Sequence, residues 1–502
     1  MNVRVRYPPS PTGFQHIGSV RTALYNYLLS RRLAGTFVLR IEDTDRKRYV
    51  PEALQDIYDT FDWLGFHWAE GPDVGGPCGP YVQSERFAVY RAHAERLLQS
   101  GHAYRCYCTA ERLEKLRKDQ EATQEAGAGG GGEGGETSAQ GYDRHCRNLS
   151  EAERSTAEAS GSPSVIRLKL PLEGSTSYAD VLLGEITVEN KVISPDPVLI
   201  KSDGFPTYHM AIVDDHLMGI THVMRGQEWL PSVPIYVLLY RALGWEPPVF
   251  CHLPMVMGKD GHKLSKRLGS TSVRDFRAKG YLPDALLNCI ALVGWSYDGT
   301  RELFSLKDLE ELFDLAKLSK SPGVFDYQKL EWFNGMYIRS KSAGELADLI
   351  APFLKDAGLP VADRATLEGI AGLVRERVKV LGEVPAMVRF VFEEPGLSAA
   401  DLVPKKGDAA SARASLARLS ALLPELQGTD EENEARLRAL ADELGMKLGD
   451  MLMPLRVAVT GSRVSPPLVA SIRVMGVEKA RARAARAIRV LDDSKESIDA
   501  RE

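Results

Sequence analysis

The sequence predicts a multidomain protein: an open α/β domain interrupted by an insertion, then an all-helical C-terminal half. Three observations carry this. A strand–loop–helix–strand pattern opens the chain, a second α/β stretch begins at Asp196, and past Tyr337 the sequence turns rich in Leu, Ala, Glu and Arg at helical spacing. At 502 residues the chain exceeds one ordinary core, and roughly three to five domains of about 100–200 residues are expected. Charged residues are 26% and hydrophobic residues 44%, as in water-soluble globular proteins. No apolar run approaches the ~20 residues of a membrane span. The N-terminus MNVRVRYPPSP lacks an apolar secretory core, which points to a cytoplasmic protein. Six cysteines in this length do not suggest a disulfide scaffold. The net charge of −5 does not announce nucleic-acid binding, but Met451 to Val490 holds eight Lys/Arg against Glu478 alone. Such a local basic face can meet phosphates.

The elements follow in order. Val3, Val5 and Tyr7 alternate with Arg4 and Arg6, the period of a strand. The loop PPSPTG comes next. Ser19 is expected to cap a helix that carries Val20, Ala23, Leu24, Tyr27 and Leu28 on one face, and Gly35 to end it. Thr36 to Ile41 reads as a second strand with Glu42 and Asp43 at its end, completing a βαβ unit of the nucleotide-binding type. The region of about 96–195 reads as an insertion, and its stretch GAGGGGEGG at 127–135 as a flexible tip.

The loop PPSPTGFQHIGS has a physical rationale. Open α/β sheets bind ligands beyond the carboxyl ends of their strands, and a helix N-terminus offers free N–H groups to phosphate. Prolines shape the loop before ligand arrives, while Gly13 and Gly18 let backbone approach closely. His16, just ahead of the helix, can donate to phosphate oxygens. Arginine is costly in a central parallel strand, but Arg6 at the strand's end is cheaper if it faces an anion in a cleft. With Glu42 on the neighbouring strand, one site can hold both a carboxylate and an ammonium, which together make an amino acid. A third piece, GKDGHKLSKRLGS at 258–270, sets Lys259, Lys263, Lys266 and Arg267 between glycines. It is not a P-loop. Its lysines can close on a leaving pyrophosphate.

Taken together, PPSPTGFQHIGSVRTALYNYL, LRIEDTDRKRY, GPYVQSERFAVY, IKSDGFPTYHMA, VMRGQEWL and KLSKRLGS resemble the bacterial glutamyl-tRNA synthetase family, and the likeness spans nearly the whole chain. The first and last are this branch's forms of the class I HIGH and KMSKS motifs. The resemblance implies a Rossmann-type nucleotide-binding catalytic domain split between 1–95 and 196–258. An α/β domain for the tRNA acceptor end fills 96–195, the KLSKR loop and a helical stem-contact domain fill 259–338, and an all-α anticodon-binding region fills 339–502. It implies a monomer that acts on ATP, L-glutamate and tRNA(Glu), with no membrane partner. Glutamate first attacks the α-phosphate of ATP, and the glutamyl-adenylate then passes its acyl group to tRNA. The first step is expected to need bound tRNA. The two rivals are a relaxed enzyme that also charges tRNA(Gln) with glutamate and a catalytically silent tRNA-binding paralogue.

By the same resemblance His16 and Gly18 contact ATP, and Lys263 and Lys266 stabilise the displaced phosphates, with Lys266 the principal catalytic residue. Magnesium rides on the phosphates. Arg6, Ser10, Glu42, Tyr208 and Arg225 match the glutamate site. Arg6 and Arg225 suit the side-chain carboxylate, Glu42 suits the α-ammonium, and Trp229 can wall the pocket. Three departures stand out. Pro8 lies where the family usually has alanine, and Ser19 replaces the last histidine of HIGH. The stretch around Ile212 is one residue short, which leaves Ile212 outside the site.

AYRCYC provides Cys106 and Cys108, and GYDRHCRNL provides Cys146. A C-x-C pair with a later cysteine can hold zinc, with Tyr142 or His145 as fourth ligand; the resemblance favours Tyr142, in a structural role. LVRERVKVL offers Arg375 and Arg377; the resemblance implies that an arginine in this neighbourhood helps select the last anticodon base, and Arg377 is the choice between the two.

Overall fold

A strand of RVRY with β-branched and aromatic neighbours forms where both faces are covered, and Arg4–Tyr7 does so in a computed structural model that describes residues 2–127, 141–264, 271–360 and 363–499. The glycine-rich stretch 128–135, together with Lys266, Arg267 and Gly269, lies outside the described residues. The chain divides into two units, 1–276 with 286–326, and 277–285 with 327–502.

In the first unit, Arg4–Tyr7 pairs in parallel with Thr36–Leu39. His222–Gly226 pairs in parallel with Val249–Leu253, Arg225 opposite His252. A bond from Thr221 N to Arg4 O at 2.9 Å joins the two pairs. The expected open α/β arrangement is therefore present. Val38, Tyr178, Val223, Val237 and Phe250 form one core against it.

The helix runs Ile17–Arg32, and the structure corrects its expected cap. His16, not Ser19, is the N-cap: its Nδ1 accepts the Ser19 N–H at 3.2 Å, and Ser19 Oγ accepts the His16 N–H at 3.1 Å. Such reciprocal capping satisfies two orphan donors and contributes about 1 kcal/mol. The helix also stops before Gly35. That glycine is needed for another reason, since a Cβ there would lie 2.2 Å from Val3 O. The second strand ends at Leu39, two residues earlier than expected.

Ala103–Cys106, Val165–Leu168 and Val198–Ile200 form an antiparallel sheet. The hairpin Ser175–Asp180/Gly184–Glu189 instead reaches the main sheet through Asp180 opposite Phe250. Strand pairing thus crosses position 195 in both directions. One core, including Tyr90, Leu97, Ile166, Leu199, Val213 and Tyr236, ties this region to the main sheet.

The second unit is helical among its described residues, from Tyr327–Ser340 to Val477–Asp499. The helices Ala343–Asp356, Ala409–Leu422 and Asp430–Glu443 begin with side-chain capping boxes, at Ser342, Asp408 and Thr429. No helix among the described residues is long and apolar enough to cross a membrane.

Candidate active site

The site is built on a buried ionic frame. Arg6 is 3% exposed and its Nε donates to Asp215 Oδ1 at 3.1 Å. Arg40, wholly buried, donates from Nη1 to the same oxygen at 2.7 Å and from Nη2 to Glu42 Oε1 at 2.9 Å. The adjacent Asp214 accepts from Arg86 Nε at 2.7 Å, Gln83 Nε2 at 2.9 Å and Tyr90 OH at 2.7 Å. Pairing of this kind offsets the cost of burying these charges. Burial opposes ionisation of Asp215, but Arg6 and Arg40 outweigh it and hold its carboxyl below the usual range. For Glu42 burial wins, and its pKa is raised despite Arg40.

Arg6 lies near the carboxyl end of its strand, and Glu42 follows the strand beside it. The Glu42 N–H donates to Pro9 O at 3.0 Å, which ties the proline loop to the acid. Ser10 is exposed on that loop, and its carbonyl accepts from Thr12 N at 2.8 Å. Arg225 rises from the neighbouring pair of strands. Its Nε donates to His252 Nε2 at 3.1 Å, and its guanidinium lies over the rings of Tyr236 at 4.7 Å and Trp229 at 5.5 Å. Burial, with Arg6 as a further contributor, keeps Arg225 below the usual arginine range. Two buried guanidinium nitrogens, Arg6 Nη1 and Arg225 Nη2, have no hydrogen-bond partner among the described residues. Tyr208 is 46% exposed, with its ring 5.5 Å from that of Trp229. Ile212 is in the core.

The helix mouth forms the second half. His16 is the cap, and a Cβ on Gly18 would approach the imidazole to 3.2 Å, so glycine is what leaves the ring its room. Desolvation of the ring, and then the Lys263 ammonium, hold His16 below the usual histidine range. The chain just after the lysine loop is stitched to this mouth: Ile17 N donates to Thr271 O at 3.1 Å, and Val273 N to Gln15 O at 3.0 Å. On the other side Leu264 N donates to Val256 O at 3.1 Å.

A thiol cluster stands apart from these groups. The Sγ atoms of Cys106, Cys108 and Cys146 lie within 4.8 Å of one another. The Tyr142 hydroxyl is 3.3 Å from Cys106 Sγ and 4.0 Å from Cys108 Sγ, whereas His145 is exposed. Cys108 is pushed up to about 12, by burial first and then by Cys106. Cys108 thus resists losing its proton unless a cation compensates it, whereas for Cys106 burial is opposed by hydrogen bonding to Tyr142, which helps hold it below the usual thiol range.

In the helical unit, Arg377 lines a groove of about 790 Å³ with Arg389, Phe390, Thr460, Ser465 and Pro466. Arg456 donates to Ser465 Oγ at 2.7 Å, and burial, then Arg377, lowers its pKa.

Sequence reasoning missed Arg40, Arg86, Asp180, Asp214, Asp215, Tyr236 and His252. The paired aspartates carried a signal, because two acids inside the apolar run AIVDDHLMGI require buried partners. The partners themselves are 124 to 209 residues away, and no local pattern pairs them.

Comparison with known proteins adds the following. Residues 2–332 match the family described as tRNA synthetases class I (E and Q), catalytic domain, and residues 345–488 match an anticodon binding domain. A glutamate–tRNA ligase of Treponema denticola is 51% identical, covering 97% of this chain and 99% of its own. That of Borreliella burgdorferi is 48% identical, with 95% and 97% covered. The crystal structure of a glutamate–tRNA synthetase from Elizabethkingia anophelis superposes with a TM-score of 0.82 at 34% identity, over 97% of this chain and 100% of that one.

Proposed function

The chain belongs to the class I tRNA synthetases of the glutamate and glutamine type and attaches glutamate to tRNA, and from that premise we propose how its residues divide the work. Arg6 and Arg225 grip the side-chain carboxylate of glutamate. The observation that supports this most directly is the pair of partnerless nitrogens, Arg6 Nη1 and Arg225 Nη2, buried in a site of low dielectric. Each is a donor whose desolvation is compensated only by an acceptor, and an anion compensates it best. Glu42 receives the α-ammonium, while Ser10 and Tyr208 complete the pocket.

His16 and Gly18 receive ATP at the helix mouth. Lys263 and Lys266 neutralise the charge that gathers on pyrophosphate as the glutamate carboxylate attacks the α-phosphate. Magnesium accompanies the nucleotide phosphates. Catalysis is then positioning and electrostatics, without a covalent nucleophile. The terminal adenosine hydroxyl of tRNA takes the glutamyl group in the second step. Residues 1–95 and 196–258 do this chemistry, 96–195 receive the acceptor end, and 259–338 carry the lysine loop and the stem contact. The chain acts as a cytoplasmic monomer.

Cys106, Cys108, Cys146 and Tyr142 hold a structural zinc ion. Three sulfurs and one oxygen converge there, the number of donors a structural zinc ion takes, and the metal would supply the charge that lets Cys108 ionise. Protein purified without a histidine tag is expected to carry close to one equivalent of zinc, and Cys108→Ser to carry far less. Elemental analysis finding no zinc in the parent chain overturns the assignment.

Arg377 and its groove meet the last anticodon base. Charging of purified glutamate and glutamine tRNAs tests both this and the breadth of the enzyme. The parent is expected to charge tRNA(Glu) preferentially. Removing one specific base contact costs about 1–3 kcal/mol, so Arg377→Ala should narrow that preference roughly tenfold. Equal charging of both tRNAs by the parent supports the relaxed reading instead. An unchanged ratio in the variant removes Arg377 from recognition.

A further inference from the structure

Arg225 is held by two buried residues to which the reaction as described gives no part. Parallel register puts His252 opposite Arg225. The Arg225 Nε–H donates to His252 Nε2 at 3.1 Å. The other ring nitrogen, Nδ1, lies 2.8 Å from Asp180 Oδ2. That oxygen also accepts the His252 backbone N–H at 3.0 Å, and Asp180 Oδ1 accepts the N–H groups of Leu182 and Leu183 at 2.9 and 3.0 Å. Both carboxylate oxygens are therefore occupied, and the carboxylate is fixed in place. A carboxylate can only accept, so the network assigns the proton to Nδ1 and leaves the Nε2 lone pair to Arg225. Burial keeps the imidazole below the usual histidine range, in agreement with a neutral ring.

We propose that Asp180 and His252 form a positioning relay that fixes the Arg225 guanidinium and thereby sets the preference for a glutamate side chain over a glutamine side chain. The inference rests on the reading of Arg225 as a carboxylate ligand. Locking Nε removes rotation about the end of the side chain, so Nη2 is already oriented when substrate arrives. The interposed ring matters for charge as well. Arg6 touches its aspartate directly, whereas the Asp180 charge is held one imidazole away from Arg225. Asp180 still offsets the buried cation, but it stays clear of an incoming carboxylate. Glutamine, being neutral, gains much less from a guanidinium so prepared.

The test uses the full chain and two non-reactive adenylate analogues, one glutamyl and one glutaminyl, with the ratio of their affinities as readout. His252→Leu removes the acceptor and is expected to lower the glutamyl preference about tenfold, the effect of losing one hydrogen bond to a charged group, with the KM for ATP unchanged. His252→Gln offers an acceptor oxygen and is expected to stay within about threefold of the parent. Asp180→Asn, which keeps size but frees the ring tautomer, should resemble His252→Leu and serves if that variant does not fold. A purely structural role would lower the melting temperature without moving the ratio. If His252→Leu keeps the parent ratio while Arg225→Ala loses it, the relay is wrong and the Arg225 reading stands. If Arg225→Ala itself keeps the ratio, the reading beneath the relay fails with it. Equal behaviour of His252→Leu and His252→Gln also overturns the proposal.

Discussion

Replacing Arg225 with alanine is expected to abolish most glutamate activation while leaving the protein as stable as before. The two halves of this result have one cause. The guanidinium is desolvated by burial, which together with nearby Arg6 holds its pKa down, and Nη2 has no hydrogen-bond partner among the described residues. A cation kept in that condition does not help folding, and removing it relieves a desolvation cost. Its use is to meet an anion. Truncating one member of a buried charge pair costs about 3–4 kcal/mol, roughly 10²–10³-fold in kcat/KM for glutamate. The loss should appear mainly in the KM for glutamate, with the KM for ATP little changed. Arg225→Lys should recover little of it, because an ammonium cannot both donate to His252 Nε2 in the plane of the ring and meet a carboxylate with a second nitrogen. Pyrophosphate release measured over a range of glutamate concentrations, with tRNA present, reads the effect. Near-normal turnover at low glutamate in the alanine variant would exclude Arg225 from the substrate site.

The same residue indicates what a sequence can reveal. Arg6 was legible because a cation is expensive in a central strand, so its presence demanded an anion. The βαβ unit was legible because period-2 and period-3.6 patterns meet at a proline-stiffened turn. Ser19 misled because serine is the commoner cap. The tertiary answer is that His16 caps, and Ser19 returns the bond from three residues on. The frame under the site was not legible. Arg40 and Asp215 are 175 residues apart, and only the fold brings them to 2.7 Å. His252 and Asp180 were silent for the same reason, lying 72 residues apart. The thiol cluster was easier, since C-x-C and Y-x₃-C keep half of each pair local. Its preference for Tyr142 over His145 came from family likeness, and the Tyr142 hydroxyl is the one that lies among the sulfurs.

Replacing Lys266 with alanine should act on the other parameter, lowering kcat and sparing the KM for glutamate. Lys266 itself lies outside the described residues, but both flanks of its loop are anchored. Leu264 is bonded to Val256, and Thr271 to the first residue of the helix that His16 caps. On the proposed reading, phosphates at that helix mouth would already be partly neutralised in the ground state, by backbone N–H groups and magnesium. What changes along the reaction is the charge that collects on pyrophosphate as its bond to the α-phosphate breaks. A cation aimed at that charge stabilises the transition state more than the bound substrate, and only such an interaction raises kcat. Losing one preorganised electrostatic contact of this kind costs on the order of 10²–10³ in rate. Lys263 should count for less. It is exposed, and its backbone is engaged with Met257 in a β-bridge, so solvent screens more of its field. Single-turnover formation of glutamyl-adenylate in the presence of tRNA separates this step from acyl transfer. If Lys266→Ala slowed only the transfer, or raised the glutamate KM at constant kcat, the lysine would be a binding group rather than a catalytic one. If both outcomes are observed, Arg225 governs which acid is chosen and Lys266 governs how fast it is activated. Because the two effects arise on different atoms of the bound pair, their free energies should add in the double variant.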